Sequence, residues 1–246
     1  MSRLPNAPLL EVIFELRWEL ITDDEKNRYQ YLHGDLYNAL RSQYPVRELV
    51  FPAHFPVDVY LNQVAHRFRK APDEYPLIQI GPGVFTVNTN DENYIWDEYQ
   101  EWIKKGVDSL INLESFNKNT RISLALKYFD FLPFDYKSMD IKDFLRDNLH
   151  IKVEQDFYKN EGPPHNINLG FSYGTDVGIL NIGINKAQIN VNHEEGIIIQ
   201  IEVVQTNLTA DIPAVNRWLK GARELTKTTF LEMTKGNLQE MFSNKG

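Results

Sequence analysis

Residues 8–20 read PLLEVIFELRWEL, and within them Leu10, Val12, Phe14, Leu16, Trp18 and Leu20 alternate with Glu11, Glu15, Arg17 and Glu19. A period of two is what an extended chain gives when it buries one face and wets the other, so this stretch reads as a strand. Residues 121–132, RISLALKYFDFL, repeat the pattern, with Ile122, Leu124, Leu126 and Tyr128 opposite Arg121, Ser123 and Lys127. Each of these two strands opens one half of the chain, and the other elements fall in order behind them.

After the first strand, Thr22-Asp23-Asp24-Glu25 has the form in which a hydroxyl and a carboxylate reciprocally satisfy the free amides of a helix start. The helix runs to about Ser42 with Tyr29, Leu32, Leu36 and Leu40 on one face, and Pro45 stops it. Prolines 45, 52, 56, 72 and 76 divide the next stretch, in which residues 58–69 have strand character. A meander comes next: HRFR, a turn at 70–75, LIQI, Gly81-Pro82-Gly83 and VFTVN. Gly-Pro-Gly between two apolar runs marks a turn, because proline presets one φ and glycine accepts conformations other residues avoid. Asn90 or Asp91 is the expected cap of a helix over about 94–113, buried through Ile95, Tyr99, Trp102, Ile103 and Leu110.

The second half repeats this order. Ser138 is the expected cap of a short helix carrying Ile141, Phe144 and Leu145, and a polar loop with Gly162-Pro163-Pro164 succeeds it. Strand-like runs at 167–173, 177–185 and 196–206 come next, with a turn at 192–195. Asp211 then caps a long helix with Pro213 in its first turn and Val215, Trp218, Leu219, Ala222, Leu225 and Met233 on its apolar face; Gly236 ends it. Both halves therefore read strand, helix, antiparallel strands, helix. The expected class is α+β, a mainly antiparallel sheet with helices on one face and a long C-terminal helix. The halves form either two domains, 1–116 and 117–246, or one domain sharing a sheet. The sheet face away from the helices is left for a partner or ligand.

The absence of cysteine rules out disulfides and thiolate metal sites, and residues 1–8 carry no apolar core of a signal peptide. No apolar run is long enough to cross a bilayer, so a cytoplasmic protein is expected. A net charge of −8 opposes any binding that neutralises phosphates over a broad face, which disfavours nucleic acid.

Glu11, Glu15 and Arg17 share the polar face of the first strand, Arg121 and Lys127 that of the second. A carboxylate pair there could act as acid and base if burial split their pKa values, but alternating charge is also how the wet side of an antiparallel sheet looks. The run His66-Arg67-Phe68-Arg69-Lys70 could hold a single nucleic-acid strand by stacking and phosphate contact; basic residues guarding an edge strand are the better reading. The six histidines lack the local spacing of a zinc site, Gly81-Pro82-Gly83 precedes a strand rather than a helix N-terminus, and no serine has a nucleophile-elbow context. No catalytic residue, cofactor or metal is assigned. The candidate interaction surface is Glu11, Glu15, Arg17, Arg67, Arg69, Arg121 and Lys127.

The opening APLLEVIFELRW, the meander YPLIQIGPGVFTVN followed by Tyr94 and Trp96, the strand ISLALKYFDF and the long closing helix together resemble an uncharacterised bacterial family of similar length, sporadically distributed across genomes. The resemblance covers nearly the whole chain, leaving out 44–65 and 152–164, and brings no activity or catalytic residue with it. A patchy distribution implies an accessory, antitoxin-like or immunity-like role in a mobile or defence-associated system. The favoured reading is a non-enzymatic protein whose free sheet face and proline-rich segment 45–76 engage a protein partner, with self-association left open. The alternatives are a small-ligand module with a cavity between the sheet and the last helix, and an enzyme using Glu11 and Glu15.

Overall fold

A computed structural model describes residues 4–52, 54–90, 94–156, 164–189 and 193–244. Among them nine strands form one sheet with neighbours in the order β2-β3-β4-β5-β1-β6-β9-β8-β7, antiparallel throughout. The first half supplies β1 (Leu9–Trp18), α1 (Asp23–Leu40), β2 (Val46–Leu49), β3 (His66–Arg69), β4 (Leu77–Gly81), β5 (Val84–Asn90) and α2 (Trp96–Ile111). The second supplies β6 (Arg121–Pro133), α3 (Ile141–Leu149), β7 (Leu169–Thr175), β8 (Gly178–Ile189), β9 (Glu194–Thr209), α4 (Ile212–Met233) and α5 (Asn237–Ser243). The chain is α+β, as its periodicities predict, and no described helix is long and apolar enough to cross a membrane.

The two amphipathic strands lie side by side at the centre, Phe14 opposite Leu126 and Leu16 opposite Leu124. In each half the first strand pairs with the last, β1 with β5 and β6 with β9. The helix-covered face of this centre is Val12, Phe14, Leu16, Ile122, Leu124, Leu126, Ile199, Ile201 and Val203, all buried in a single core. Across it, the Arg223 guanidinium of α4 sits 5.1, 5.4 and 5.9 Å from the ring centroids of Trp96, Tyr128 and Tyr94. Those rings come from β6 and the start of α2, so a cation–π contact ties the halves together.

Local chemistry sets most helix boundaries. Thr22 and Glu25 form the expected capping box, and Asp211 accepts from the Ala214 amide at the start of α4. Three ends differ from expectation. α2 begins after Ile95 with no side-chain cap, because Asn90 stays in β5; Asp91 lies outside the described residues. α3 is capped by Asp140 rather than Ser138, whose hydroxyl instead donates to Asp135. Gly236 does not close the chain's helical part but starts α5, whose Leu238 and Phe242 are buried. Of the loop 152–164 and the turn 192–195, residues 157–163 and 192 lie outside the description.

The proline-divided stretch is the largest departure. Sequence reading missed β2, which takes the sheet edge and places β3 inside, between β2 and β4. Arg67 and Arg69 are therefore not edge guards. Arg69 is buried, its Nε 3.0 Å from Glu48 Oε1, and it donates to Glu74 O at 3.0 Å. Residues 58–65 are a 3₁₀ turn (Val57–Tyr60) and a loop that folds over the Gly81-Pro82-Gly83 turn. The Asn62 amide donates to Pro82 O at 2.8 Å, and a Cβ on Gly81 would fall 1.8 Å from Gln63 O. Gly83 has φ +83, and its Cβ would lie 2.6 Å from Asn62 Oδ1. Replacing Gly83 by Val should cost about 1–3 kcal/mol, since it strains this φ and lifts the 62–63 loop; an unchanged chemical-denaturation midpoint would show that the turn does not depend on glycine.

Candidate functional site

The register puts Glu11, Glu15, Arg17, Arg67, Arg69, Arg121 and Lys127 all on the sheet face away from the helices. Most of them are bonded into a ladder that crosses the strands. Arg67 Nε donates to Gln79 Oε1 (3.1 Å), Gln79 Nε2 to Thr86 Oγ1 (2.9 Å) and Asn88 Oδ1 (3.2 Å), and Asn88 Nδ2 to Glu11 Oε1 (2.9 Å). On the far side of Glu15, Lys127 Nζ lies 3.1 Å from Glu15 and 3.5 Å from Glu202, Asn181 Nδ2 donates to Glu202, and Ser172 Oγ to Asn181.

This ladder has two consequences. First, the face is not free over β4 and β5. Leu77, Gln79, Val84, Thr86 and Asn88 are buried, and the loop at 62–63 crosses above Gly81 and Gly83. The 62–63 loop of the proline-rich segment thus lies against its own sheet, and the polar groups of β4 and β5 are satisfied by one another and need no water. Second, the Glu15 carboxyl is unsuited to proton transfer at neutral pH. Burial pushes it upward, but hydrogen bonds from Arg17 (2.7 and 3.1 Å) and the charge of Lys127 outweigh burial and hold it below the ordinary carboxylate value. A general acid needs the opposite shift.

The open part of the face ends in a cleft of about 900 Å³ at the ends of the central strands, lined by Arg17, Trp18 and Glu19, by Asn117 to Ser123 except Lys118, and by Ile21, Glu25, Asn62, Thr206 and Asn207. Its shape comes from two backbone irregularities. Between Ile122 and Leu124 the β6–β9 register shifts, so that Ser123 faces both Thr206 and Asn207 in a bulge. Asn207 has φ +61, and across the cleft Asn62 has φ +60, held by Arg17 Nη1 donating to its carbonyl (3.1 Å). Left-handed non-glycine residues and bulges gather where a fold aims side chains at a ligand. Among the described residues the Arg121 guanidinium and the side chains of Glu19, Asn62, Asn119, Ser123 and Asn207 make no hydrogen bond or ion pair, so their polar atoms are available. Ile21, 78% exposed, stands at the rim.

No protein-family model, curated protein or solved structure matches this chain.

The sequence reading found Arg17 and Arg121 but not the asparagines, whose only signal is their clustering near strand ends at 62, 117, 119 and 207. It also missed a polar cluster between α1 and β2–β3, in which His66 is buried, His33 half-buried and Arg47 exposed. His33 and His66, far apart in sequence, stack with centroids 4.0 Å apart, and Arg47 Nη2 lies 3.0 and 3.4 Å from their Nδ1 atoms. Arginine only donates, so both Nδ1 atoms accept and both rings are neutral. Burial first, then the Arg47 charge, lowers His33 to about 4; burial, His33 and Arg47 lower His66 to about 3. Among the described residues no group of acids and histidines could hold a metal.

This cluster makes stability pH-dependent. Unfolded histidine takes its proton near 6.5, whereas the folded rings refuse theirs until about 4 and 3. Between those values the unfolded chain binds more protons, so stability is full above 6.5 and falls with falling pH. The thermal midpoint should drop between pH 6.5 and 5, above the range where Glu15 titrates, and a His33→Gln/His66→Gln protein should lose that slope. An unchanged slope in the double variant would place the acid sensitivity elsewhere.

Proposed function

We propose that the protein is a non-enzymatic binding protein and that its cleft holds an extended segment of a partner polypeptide. The observation that carries this reading is the convergence of unpartnered amide, hydroxyl and guanidinium groups on one open cleft from β6, the loop before it, β9 and the 62–63 loop. Side-chain amides present a donor and an acceptor together, which is what peptide N–H and C=O groups require. Small-molecule sites are enclosed and mostly apolar. Here only Trp18, Ile21 and Ile122 of the lining residues are apolar, and the cleft is open. Arg121 suits an acidic side chain or a carboxyl terminus, and Ile21 suits an apolar side chain at the rim. The space between α4 and the sheet, where a ligand module would keep its cavity, is filled by Phe14, Val215, Trp218, Leu219 and Ala222. The family resemblance supports an accessory or immunity-like role, with a cytoplasmic partner encoded beside this chain in a defence-associated bacterial system.

The test is capture of the native partner by the full chain, identified by mass spectrometry, and its repetition with Arg121→Glu and Asn207→Gly. Glycine keeps the left-handed backbone at 207 while removing the amide. Retention of the partner should fall at least tenfold in both variants with the thermal midpoint unchanged. Equal capture by all three proteins, or recovery of a small molecule alone, would overturn the reading.

A further inference from the structure

The two edges of the sheet are built in opposite ways. β2 is four residues long, carries Arg47 and Glu48, and has Pro45 before it and Pro52 after it, all devices that discourage another strand from pairing. β7, residues 169–175, reads LGFSYGT and has no charge, no proline and seven residues, although among the described residues it is paired only with β8. It is mostly exposed, with Tyr173 50% accessible, and a Cβ built on Gly170 or Gly174 would meet nothing within 4 Å. An edge strand of this kind offers unpaired N–H and C=O groups to an incoming strand.

Its sequence also specifies which strand. About Ser172 the pattern is nearly palindromic: Phe171 and Tyr173 flank it, then Gly170 and Gly174, then Leu169 and Thr175. Antiparallel pairing of two copies around a two-fold axis at Ser172 sets Phe171 opposite the partner's Tyr173 and glycine opposite glycine. Phe171 and Tyr173 share the helix-side face, where their rings already stack at 6.5 Å and 6°. The pairing therefore makes a row of four rings on one face and small residues on the other, and cross-strand aromatic pairs are among the favourable ones. A two-fold contact of this type closes on itself rather than propagating. We propose that β7 is a homodimerisation edge, joining two copies of this chain into one continuous sheet through β7–β7 pairing centred on Ser172.

The absence of cysteine makes the register directly testable. In sedimentation velocity at micromolar concentration the full chain should run as a dimer of two 28.7 kDa chains. Ser172→Lys, which sets like charges opposite each other on the axis, should run as a monomer with unchanged circular dichroism, its fold intact. Ser172→Cys should form a covalent dimer under mild oxidation, because residues facing each other across an antiparallel pair lie within disulfide reach. A wild-type monomer would overturn the proposal, as would a dimer that Ser172→Lys leaves intact or one that Ser172→Cys fails to cross-link.

Discussion

Phe14→Ala is expected to lower the unfolding free energy by about 3–5 kcal/mol, the range for deleting a buried aromatic ring. Phe14 is fully buried on the helix side of β1, opposite Val87 on β5 and Leu126 on β6, with its ring 6.4 Å from that of Trp218 on α4. The site can relax little after truncation, because β1 is paired on both edges and the helix above is held by the Arg223 contact. Chemical denaturation should show a lower midpoint with an unchanged slope, since the surface exposed on unfolding is the same. A loss below 1 kcal/mol would mean that the faces of the strand are the reverse of those described.

Tyr99→Phe is expected to cost about 2–4 kcal/mol, although it removes a single oxygen. The Tyr99 hydroxyl accepts from the Phe14 amide at 2.7 Å and donates to Val87 O at 2.7 Å. Phe14 and Val87 face each other in the β1–β5 register, so the phenol stands in the ladder where a direct backbone bond would otherwise run. Burial pushes this phenol well above its ordinary pKa, which keeps it a donor throughout the working range. Removing the oxygen leaves a buried N–H and a buried C=O without partners, each costing about 1–3 kcal/mol. The Phe14 amide should also lose its hydrogen-exchange protection. If stability and protection were both retained, the strands would have closed on each other, and the hydroxyl would be a filler rather than a link.

Where a signal was local, the sequence carried it. The alternation in residues 12–18 and 121–128, the Thr22–Glu25 box, the Asp211 cap and the Gly-Pro-Gly turn each depend on neighbours within a few positions, and each appears where it was expected; only the start of β1 differs, where a register shift between Leu9 and Glu11 buries Leu9 and leaves Leu10 exposed. β2 was missed because its four residues are too few for a period of two to stand out, and only pairing with β3 holds them extended. Missing it also turned β3 into a supposed edge and made a pair of internal arginines look like surface.

The candidate cleft was legible only in part. Arg17 and Arg121 show their face by alternation, but Asn62 and Asn207 reach the same space from opposite halves, through left-handed backbone that no local pattern announces. The stacking of His33 on His66 was equally hidden, being made by packing between α1 and β3.

By itself, then, the sequence determined the class of the fold and the facing of its two central strands, because burying one side of an extended chain imposes a period that needs no partner to be read. The tertiary structure alone decided that the two strands pair with each other, that segment 45–76 spends itself on its own sheet, and where the unpartnered polar groups meet. Those outcomes depend on contacts between residues dozens of positions apart, which one stretch of chain does not encode.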